Sequence, residues 1–401
     1  MTHADRRHLS RRRALRSLAG FLAASPLVQA QREIVYTPDR MPTLDDIVNV
    51  FEMEPVCRLR LPKQNYDFIA GGVDNEWTMK RNRDAFDRFT IHPRMLVNTM
   101  KMDLSTTLFG TKIGMPVLVA PTAGHQLAHP DGEEATAKAA AASKTIMCVS
   151  SVASLPFEKI AQATDAPKWW QLYPREDDES TEARVRAAVA AGYKAVILTV
   201  DAPYNSHRER LLRNREAGQV PGQGAATTTS APRRRRGAAE TAHPYRLQPA
   251  LVAAWDWTYV KRVKDWAKVP VLVKGLLTAE DAGLAKEHGA DGIVVSNHGG
   301  RYLDYAPSTI EVLPEILKEV NGRMPVLIDS GFRRGTDILK ALALGANAVL
   351  VGRPPLWGLG AFGQAGVEKV LQMLESELAL AMGLAGQTTI QGLRPSLVRL
   401  H

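Results

Sequence analysis

From Pro116 to Val351 the chain repeats one pattern of hydrophobic and polar positions. A short run of apolar, often β-branched residues ends in a polar or glycine-rich turn, and a stretch of helical composition follows. Apolar residues at successive positions, without alternation, are typical of parallel strands that are covered on both faces. The eight runs are Pro116–Ala120, Thr145–Ser150, Lys168–Leu172, Ala195–Val200, Val271–Lys274, Gly292–Ser296, Val326–Asp329 and Ala348–Val351.

Helical patterns separate most of these runs. They cover Gly132–Ala142, Thr181–Ala191, Ala279–Glu287, Ser308–Val320 and Gly335–Leu344. Eight strand–helix units predict an α/β fold, a closed (β/α)8 TIM barrel over residues 114–384. In such barrels the chemistry lies at the carboxyl ends of the strands.

Two segments flank the predicted barrel, and a third interrupts it. Residues 31–113 predict an N-terminal helical segment that packs on the barrel and begins with a helix over Leu44–Glu54, while 385–401 reads as a C-terminal tail. About seventy residues separate the fourth and fifth strands, far more than a strand–helix connection needs. Because Gly218–Ala242 has a composition that cannot bury a core, we predict a mobile loop insertion over 202–250. It is either a lid or a surface insertion without a catalytic part.

The first thirty residues resemble an export signal. Consecutive arginines in Ser10–Arg16 precede a modest apolar stretch, Leu18–Val28, and small residues end at Ala30. The pattern is similar to a twin-arginine signal and predicts a periplasmic protein, with a cytoplasmic location as the alternative. The apolar stretch is about half the length that spans a bilayer, so no stable membrane span is predicted.

Composition and charge narrow the class of protein. Of 401 residues, 45% are hydrophobic and 23% charged, as in soluble globular proteins. The net charge of +9 is concentrated in residues 1–30, with six arginines and one acidic residue, and in Arg233–Arg236. The remaining chain is neutral, which argues against a nucleic-acid partner. Two cysteines and no Cys/His cluster give neither a disulfide framework nor a metal site.

Glycine-rich turns with an arginine follow the last two predicted strands. In this fold such turns commonly bind phosphate through backbone N–H groups and a guanidinium. A phosphate-bearing cofactor or substrate is therefore predicted before any family is considered. The candidates are Ser330, Gly331, Arg333, Gly352 and Arg353.

Ionisable side chains end three other strands. Lys274 must either be paired or lose its proton in an apolar barrel mouth, so it could form a Schiff base or lie against an electron-rich ring. His298, beside glycines that let a substrate approach, is the best candidate for a general base, and Asp201 could stabilise its protonated form. Arg301 and Arg208 suit a carboxylate that is bound bidentately.

The segment Ser296–Arg301 with Leu303-Asp304 resembles the S-N-H-G-[AG]-R-Q-L-D signature of the FMN-dependent α-hydroxy acid oxidases and dehydrogenases. That family includes glycolate oxidase, lactate oxidase and mandelate dehydrogenase. The resemblance extends from about Leu61 to Leu384 in ordered matches. It implies FMN-dependent oxidation of an L-2-hydroxy acid, with oxygen or a quinone as electron acceptor and a homo-tetramer as the assembly.

The resemblance also implies roles for individual residues. His298 removes the hydroxyl or α-proton with support from Asp201, Arg208 and Arg301 bind the carboxylate, and Tyr173 hydrogen-bonds the substrate oxygen. Lys274 faces the N1/O2 edge of the flavin, where a cation stabilises the reduced ring. The cofactor-binding set is Pro121, Thr122, Ala123, Ser150, Gln171, Thr199, Lys274, Ser296, Asp329, Ser330, Gly331, Arg333, Gly352 and Arg353.

The chain departs from the family pattern in the substrate pocket. Phe68 replaces the second tyrosine of a Y-D-Y segment that helps to bind the carboxylate, and Val152 replaces an aromatic residue of glycolate oxidase. Both changes predict a larger, less polar substrate than glycolate. Ala123 is similar to the oxidases, and Gly124–His129 is most similar to lactate oxidase. The alternatives are a flavin oxidase of a different or modified substrate, and a non-catalytic flavin-binding homologue.

Overall fold

The computed structural model describes residues 40–174, 177–216 and 254–401. Residues Leu44–His401 form one compact unit, and the architecture below is that of this unit. The predicted export signal, and the predicted lid beyond residue 216, lie outside the described residues.

The N-terminal segment is helical first and then forms short strands. After a 3-10 turn at Val50–Glu52 come α1 (Met53–Arg60), α2 (Lys63–Ala70), α3 (Trp77–Asp84) and a second 3-10 turn at Ala85–Arg88. Strand β1 (Phe89–Ile91) and the antiparallel hairpin of β2 (Thr106–Leu108) and β3 (Thr111–Ile113) follow. The predicted helical segment therefore also contains three strands.

Eight parallel strands close into a barrel, as the sequence predicts. Their spatial order follows the chain, and the last strand pairs with the first. Every strand is buried over nearly its whole length, which explains the apolar runs in the sequence. The strands are β4 (Val117–Val119), β5 (Met147–Ser150), β6 (Lys168–Leu172), β7 (Val196–Thr199), β8 (Val271–Leu276), β9 (Gly292–Val295), β10 (Val326–Ile328) and β11 (Ala348–Val351).

Helices cover the outside of the barrel. They are α4 (His125–Ala128), α5 (Gly132–Ala142), α6 (Phe157–Gln162), α7 (Asp178–Ala190), α8 (Glu209–Glu216), α9 (Thr258–Ala267), α10 (Ala279–Glu287), α11 (Thr309–Val320), α12 (Gly335–Leu344) and α13 (Arg353–Leu384). Helix α13 is broken at Phe362 and Gly363, whose backbone angles are not helical. Among the helices described, none has the length and apolar character needed to cross a membrane.

Each barrel strand contributes a side chain to one buried hydrophobic cluster: Leu118, Cys148, Trp169, Ile197, Leu272, Val294, Leu327 and Leu350. The β2–β3 hairpin adds Leu108 and Ile113, and its Phe109 packs edge-on against Trp169 at 5.7 Å between ring centroids. Phe109 also approaches Gly292, the first residue of β9. The hairpin therefore fills the amino end of the barrel, and the carboxyl end is left for the functional site.

Two boundary predictions need correction. The start of the predicted loop insertion forms helix α8, because buried Asn214 donates a hydrogen bond of 3.0 Å from its Nδ2 to Oδ2 of Asp67 on α2. The predicted C-terminal tail is structured: it forms 3-10 turns at Ile390–Gly392 and Pro395–Leu397 and a strand, β12 (Val398–Leu400), antiparallel to β1. Both partners are distant in sequence, so local composition could not reveal them.

Candidate active site

A cavity of about 400 Å³ opens at the carboxyl ends of the barrel strands. This volume lies in the range of small-molecule and cofactor sites. Most of the predicted site residues line it: Phe68, Pro121, Thr122, Ala123, Ser150, Tyr173, Arg208, Lys274, His298, Arg301, Asp329, Ser330, Gly331, Arg333, Gly352 and Arg353. The four others, Gln171, Thr199, Asp201 and Ser296, are not part of the lining and support residues that are.

His298 stands at the centre of a hydrogen-bonded group. Its Nδ1 lies 2.8 Å from Oδ1 of Asp201, and its Nε2 lies 3.4 Å from the hydroxyl of Tyr173. A carboxylate acceptor at Nδ1 fixes the tautomer that carries the Nδ1 proton, which leaves the Nε2 lone pair available. The backbone of His298 is left-handed, with φ of 56°. Such a conformation in a non-glycine residue is typical of functional sites.

Asp201 reaches His298 because the residue after Lys274 is a glycine. Gly275 has φ of 116°, and a Cβ atom there would lie 2.5 Å from Cβ of Asp201. Any side chain at this position would collide with the aspartate and distort the base. Gly275 is therefore required in the site because it leaves room for the side chain of Asp201.

The charges around His298 set its protonation state. Burial lowers its pKa, and Lys274 and Arg301 lower it further, whereas Asp201 opposes the shift. Burial works against ionisation of Asp201, but His298 and Lys274 hold the pKa of this carboxyl below its usual value. The pair is therefore a neutral imidazole and a carboxylate at neutral pH, which is the form that accepts a proton.

Lys274 is buried and fully paired. Its Nζ donates to Oγ of Ser296 at 2.8 Å and lies 3.2 Å from Oδ2 of Asp329. Burial opposes the charge, but Asp329 and Asp201 raise the pKa of Lys274 above its usual value. A protonated, ion-paired amine is a poor nucleophile, so the geometry supports an ion-paired cation at Lys274 rather than a Schiff base.

One side of the cavity holds two guanidinium groups around an aromatic ring. The Cζ atoms of Arg208 and Arg301 lie 5.8 Å and 5.5 Å from the centroid of the Phe68 ring. Arg301 also donates from Nη1 to the carbonyl of Gly71 at 2.9 Å. Burial, together with Arg208 and Arg353, lowers the pKa of Arg301 well below its usual value. The positive charge concentrated here favours a bound carboxylate.

Two further arginines, Arg333 and Arg353, line the same cavity after β10 and β11. The Arg353 guanidinium donates to backbone carbonyls, 2.9 Å to Gly299 and 3.1 Å to Gly71, and Cζ of Arg333 lies 4.5 Å from the Trp357 ring. Burial and neighbouring guanidinium groups lower the pKa of Arg333 to about 9. Burial is also the main reason that the pKa of Arg353 falls to about 10. An anion would relieve this repulsion.

The backbone in the turns after β10 and β11 is suited to a phosphate. Ser330 and Gly331 follow β10 with φ of 78° and 90°, and a Cβ atom at Gly331 would lie 2.2 Å from the carbonyl oxygen of Asn82. Helix α13 begins directly after Gly352. The positive end of a helix together with two arginines makes a phosphate site.

Two buried polar atoms test whether a flavin fits in this cavity. Gln171 Nε2 and Thr199 Oγ1 have no hydrogen-bond partner among the described residues. Their register partners on the neighbouring strands, Ser150 and Lys274, line the cavity. An unpaired buried group of this kind costs roughly 1–3 kcal/mol. The polar edge of a flavin ring would satisfy both atoms, so the residues present fit FMN.

Other residues of the signature segment stabilise the fold rather than line the cavity. Asn297 exchanges hydrogen bonds of 2.7 and 2.9 Å with the side chain of Asn82 on α3. Asp304 accepts from the backbone N–H of Thr78 at 2.8 Å, in the first turn of α3. The segment therefore also fixes α3 to the barrel mouth.

Sequence reasoning missed Tyr302, which lines the cavity beside His298. The signal was present, because Tyr302 stands where the quoted signature has glutamine. The sequence alone does not indicate the direction in which this side chain points.

A flavin-phosphate site and a histidine–aspartate base beside clustered arginines define a flavin-dependent oxidoreductase of carboxylate-bearing substrates. A family model described as FMN-dependent dehydrogenase matches residues 57–400. The chain is 45% identical over 356 residues to a peroxisomal (S)-2-hydroxyacid oxidase of Arabidopsis thaliana, covering 89% of this chain and 97% of that protein.

Solved structures agree with this relationship. A mandelate oxidase has a TM-score of 0.78 and 38% identity, covering 88% of this chain and 98% of that one. A soluble mutant of the membrane-associated (S)-mandelate dehydrogenase from Pseudomonas putida has a TM-score of 0.80 and 35% identity, covering 88% and 100%. The chain belongs to the family of FMN-dependent dehydrogenases, and it is an enzyme that oxidises (S)-2-hydroxy acids with FMN. The predicted family, fold, cofactor and reaction are confirmed.

Proposed function

We propose that the enzyme oxidises an (S)-2-hydroxy acid with a bulky apolar group, either aryl or long alkyl, to the 2-oxo acid. The observation that carries this proposal is that His298, which is paired with Asp201, lines one cavity together with Arg208 and Arg301. Phe68 and Val152 line the same cavity with apolar side chains. The similarity to a mandelate oxidase supports an aryl substrate.

The residues divide the reaction between them. FMN, when bound, supplies the two-electron acceptor for the oxidation at the α-carbon. The carboxylate of the substrate binds to Arg301 and Arg208, which fixes the α-carbon in the cavity. Nε2 of His298 takes the hydroxyl proton, and Asp201 stabilises the imidazolium that results. Tyr173, 3.4 Å from Nε2, hydrogen-bonds the substrate oxygen.

The residues that would bind FMN also divide into groups. Gln171, Thr199 and Lys274 suit the polar edge of the ring, and Ser296 holds Lys274 in place. Arg333 and Arg353 suit the phosphate. The same cavity is lined by Pro121, Thr122, Ala123 and Ser150.

Anaerobic reduction of the bound flavin tests the substrate. The panel contains glycolate, L-lactate, (S)-2-hydroxyoctanoate and (S)-mandelate, and the (R) enantiomers of the three chiral acids serve as matched controls. We expect the two bulky (S) acids to bleach the flavin at least tenfold faster than glycolate, because apolar burial favours them. Faster bleaching by glycolate would overturn the proposed substrate class. Bleaching by a bulky alcohol without a carboxylate would favour a different flavin oxidase.

We propose oxygen as the electron acceptor, because Ala123 is similar to the oxidases of the family. The reduced enzyme is mixed with oxygen in one experiment and with a soluble quinone analogue in another. Reoxidation that is faster with oxygen supports the proposal. Reoxidation only by the quinone would make the protein a dehydrogenase.

Export and assembly are tested separately from catalysis. The arginine-rich N-terminus supports twin-arginine export, and fractionation of cells that express the full chain, with and without Arg11–Arg13 changed to lysine, tests it. The resemblance to the family supports a homo-tetramer. Light scattering of the purified flavoprotein measures its mass directly.

A further inference from the structure

Tyr302 lies on the substrate side of the base. It follows β9 by a short loop, lines the cavity, and packs edge-on against His298 with 4.7 Å between ring centroids and 75° between the ring planes. Its neighbour in sequence is Arg301, one of the two arginines around Phe68. The position therefore borders both the proton acceptor and the carboxylate site.

The hydroxyl group of Tyr302 belongs to a small polar cluster. Burial, and after it the neighbouring Tyr302, raises the pKa of Tyr173, and the Tyr173 hydroxyl lies 3.4 Å from Nε2 of His298. Tyr302 also interacts electrostatically with Arg301. Two phenol groups thus flank the open side of the imidazole, and one of them lies next to a guanidinium.

The same cavity lacks a phenol at another position. Phe68, which faces both arginines, stands where the quoted family pattern has tyrosine, and Tyr302 stands where the quoted signature has glutamine. One phenol is absent and one is gained, both among the residues that line the cavity with Arg301. This exchange leaves the number of phenol donors unchanged and places one of them beside His298.

We propose that Tyr302 is a substrate-binding residue whose hydroxyl donates a hydrogen bond to the carboxylate of the 2-hydroxy acid, in place of the phenol that Phe68 lacks. Tyr173 then serves the α-oxygen, and Arg301 provides the charge. Because the donor approaches from beside His298, Phe68 can lack a hydroxyl group between the two arginines without loss of a phenol donor in the cavity. This inference rests on the substrate class proposed above.

Binding of oxalate to the FMN-loaded enzyme tests Tyr302 without turnover. Oxalate offers a carboxylate beside a second oxygen-bearing carbon, as a 2-hydroxy acid does, and the flavin absorbance reports its binding. Tyr302→Phe is expected to raise the Kd about ten- to a hundredfold, the effect of one hydrogen bond to a charged group. KM for the best substrate should rise by a similar factor, with a smaller change in kcat. Tyr302→Gln, which restores the signature residue, should give the same loss.

Tyr305→Phe is the matched control. Tyr305 lies three residues further along the same loop, but it is exposed and its hydroxyl accepts a hydrogen bond of 3.2 Å from Asn75 Nδ2. This variant should bind oxalate as the parent does. Its FMN content should also equal that of the parent and of Tyr302→Phe, since a merely structural defect would lower it.

Rescue makes the test specific. Phe68→Tyr in the Tyr302→Phe background is expected to recover at least tenfold in oxalate affinity, a larger gain than the same substitution gives in the parent. Oxalate affinity within twofold of the parent for Tyr302→Phe would overturn the inference. So would equal gains from Phe68→Tyr in both backgrounds, or a parent that does not bind oxalate. A parent that binds oxalate but is not reduced by any bulky acid contradicts the proposed substrate alone.

Discussion

The two ends of the cavity differ in how their charges are compensated. At the phosphate end, the hydrogen bonds described for the Arg333 and Arg353 guanidinium groups go to backbone carbonyls. At the proton-transfer end, Lys274 and His298 are paired with Asp329 and Asp201. The first end is thus built for an anion that supplies the missing negative charge. At the second end the protein itself supplies the carboxylates, so that a proton can move between the substrate and His298 without a further counter-ion.

The largest expected effect is that of His298→Gln, which removes the proton acceptor at the compensated end. A glutamine cannot take the hydroxyl proton, so the rate of flavin reduction by a 2-hydroxy acid should fall about a thousandfold. Stopped-flow spectroscopy under anaerobic conditions measures this rate. FMN content should be unchanged, because His298 is not among the residues proposed to bind the cofactor. A loss of less than tenfold would show that another group takes the proton.

Asp201→Asn is expected to cost up to about a hundredfold in the same rate, because the imidazolium loses a charged hydrogen-bond partner. Asp201 raises the pKa of His298, so its removal lowers that pKa further. The acidic limb of the rate profile should therefore move to lower pH as the plateau falls. A limb that moves to higher pH would contradict the arrangement.

Arg333→Gln tests the phosphate end of the cavity. The affinity for FMN is expected to weaken about ten- to a hundredfold, as for a lost hydrogen bond to a charged group. The affinity for riboflavin, which lacks the phosphate, should stay the same, and fluorescence titration of the apoprotein measures both. Arg334→Gln is the control, because Arg334 pairs with Glu377 outside the cavity. Equal weakening of riboflavin would mean that Arg333 acts on the ring or on the fold.

The smallest effect is the pH dependence of the unmodified enzyme. Because the pKa of His298 is lowered from 6.5, the neutral base predominates above that pH. The value of kcat/KM should rise with pH along a limb whose apparent pKa lies below 6.5 and should be level by neutral pH. A limb centred well above 6.5 would mean that Asp201 outweighs burial and the two nearby cations.

The sequence was informative wherever a local pattern has one structural solution. Eight continuous apolar runs allow little besides parallel strands, and the glycines beside Arg333 and Arg353 are typical of a phosphate turn. Contacts between distant segments were out of reach: Asn214 with Asp67, and Phe89 with Leu400. No periodicity records such pairings.

Side-chain direction was the second limit. The signature segment marks His298, Asn297 and Asp304 equally, yet His298 faces the cavity while the other two fix helix α3. Tyr302 lies in the same segment and enters the cavity. Only the backbone turn after β9, with left-handed residues at His298, Gly299 and Gly300, separates these roles.

A crystal structure of the enzyme with FMN and oxalate would locate both ligands in one measurement. We expect the flavin phosphate at Arg333 and Arg353, and oxalate within hydrogen-bond distance of Arg301, Tyr302 and Nε2 of His298. Oxalate bound away from His298, or a phosphate at the Arg208–Arg301 side, would contradict this expectation.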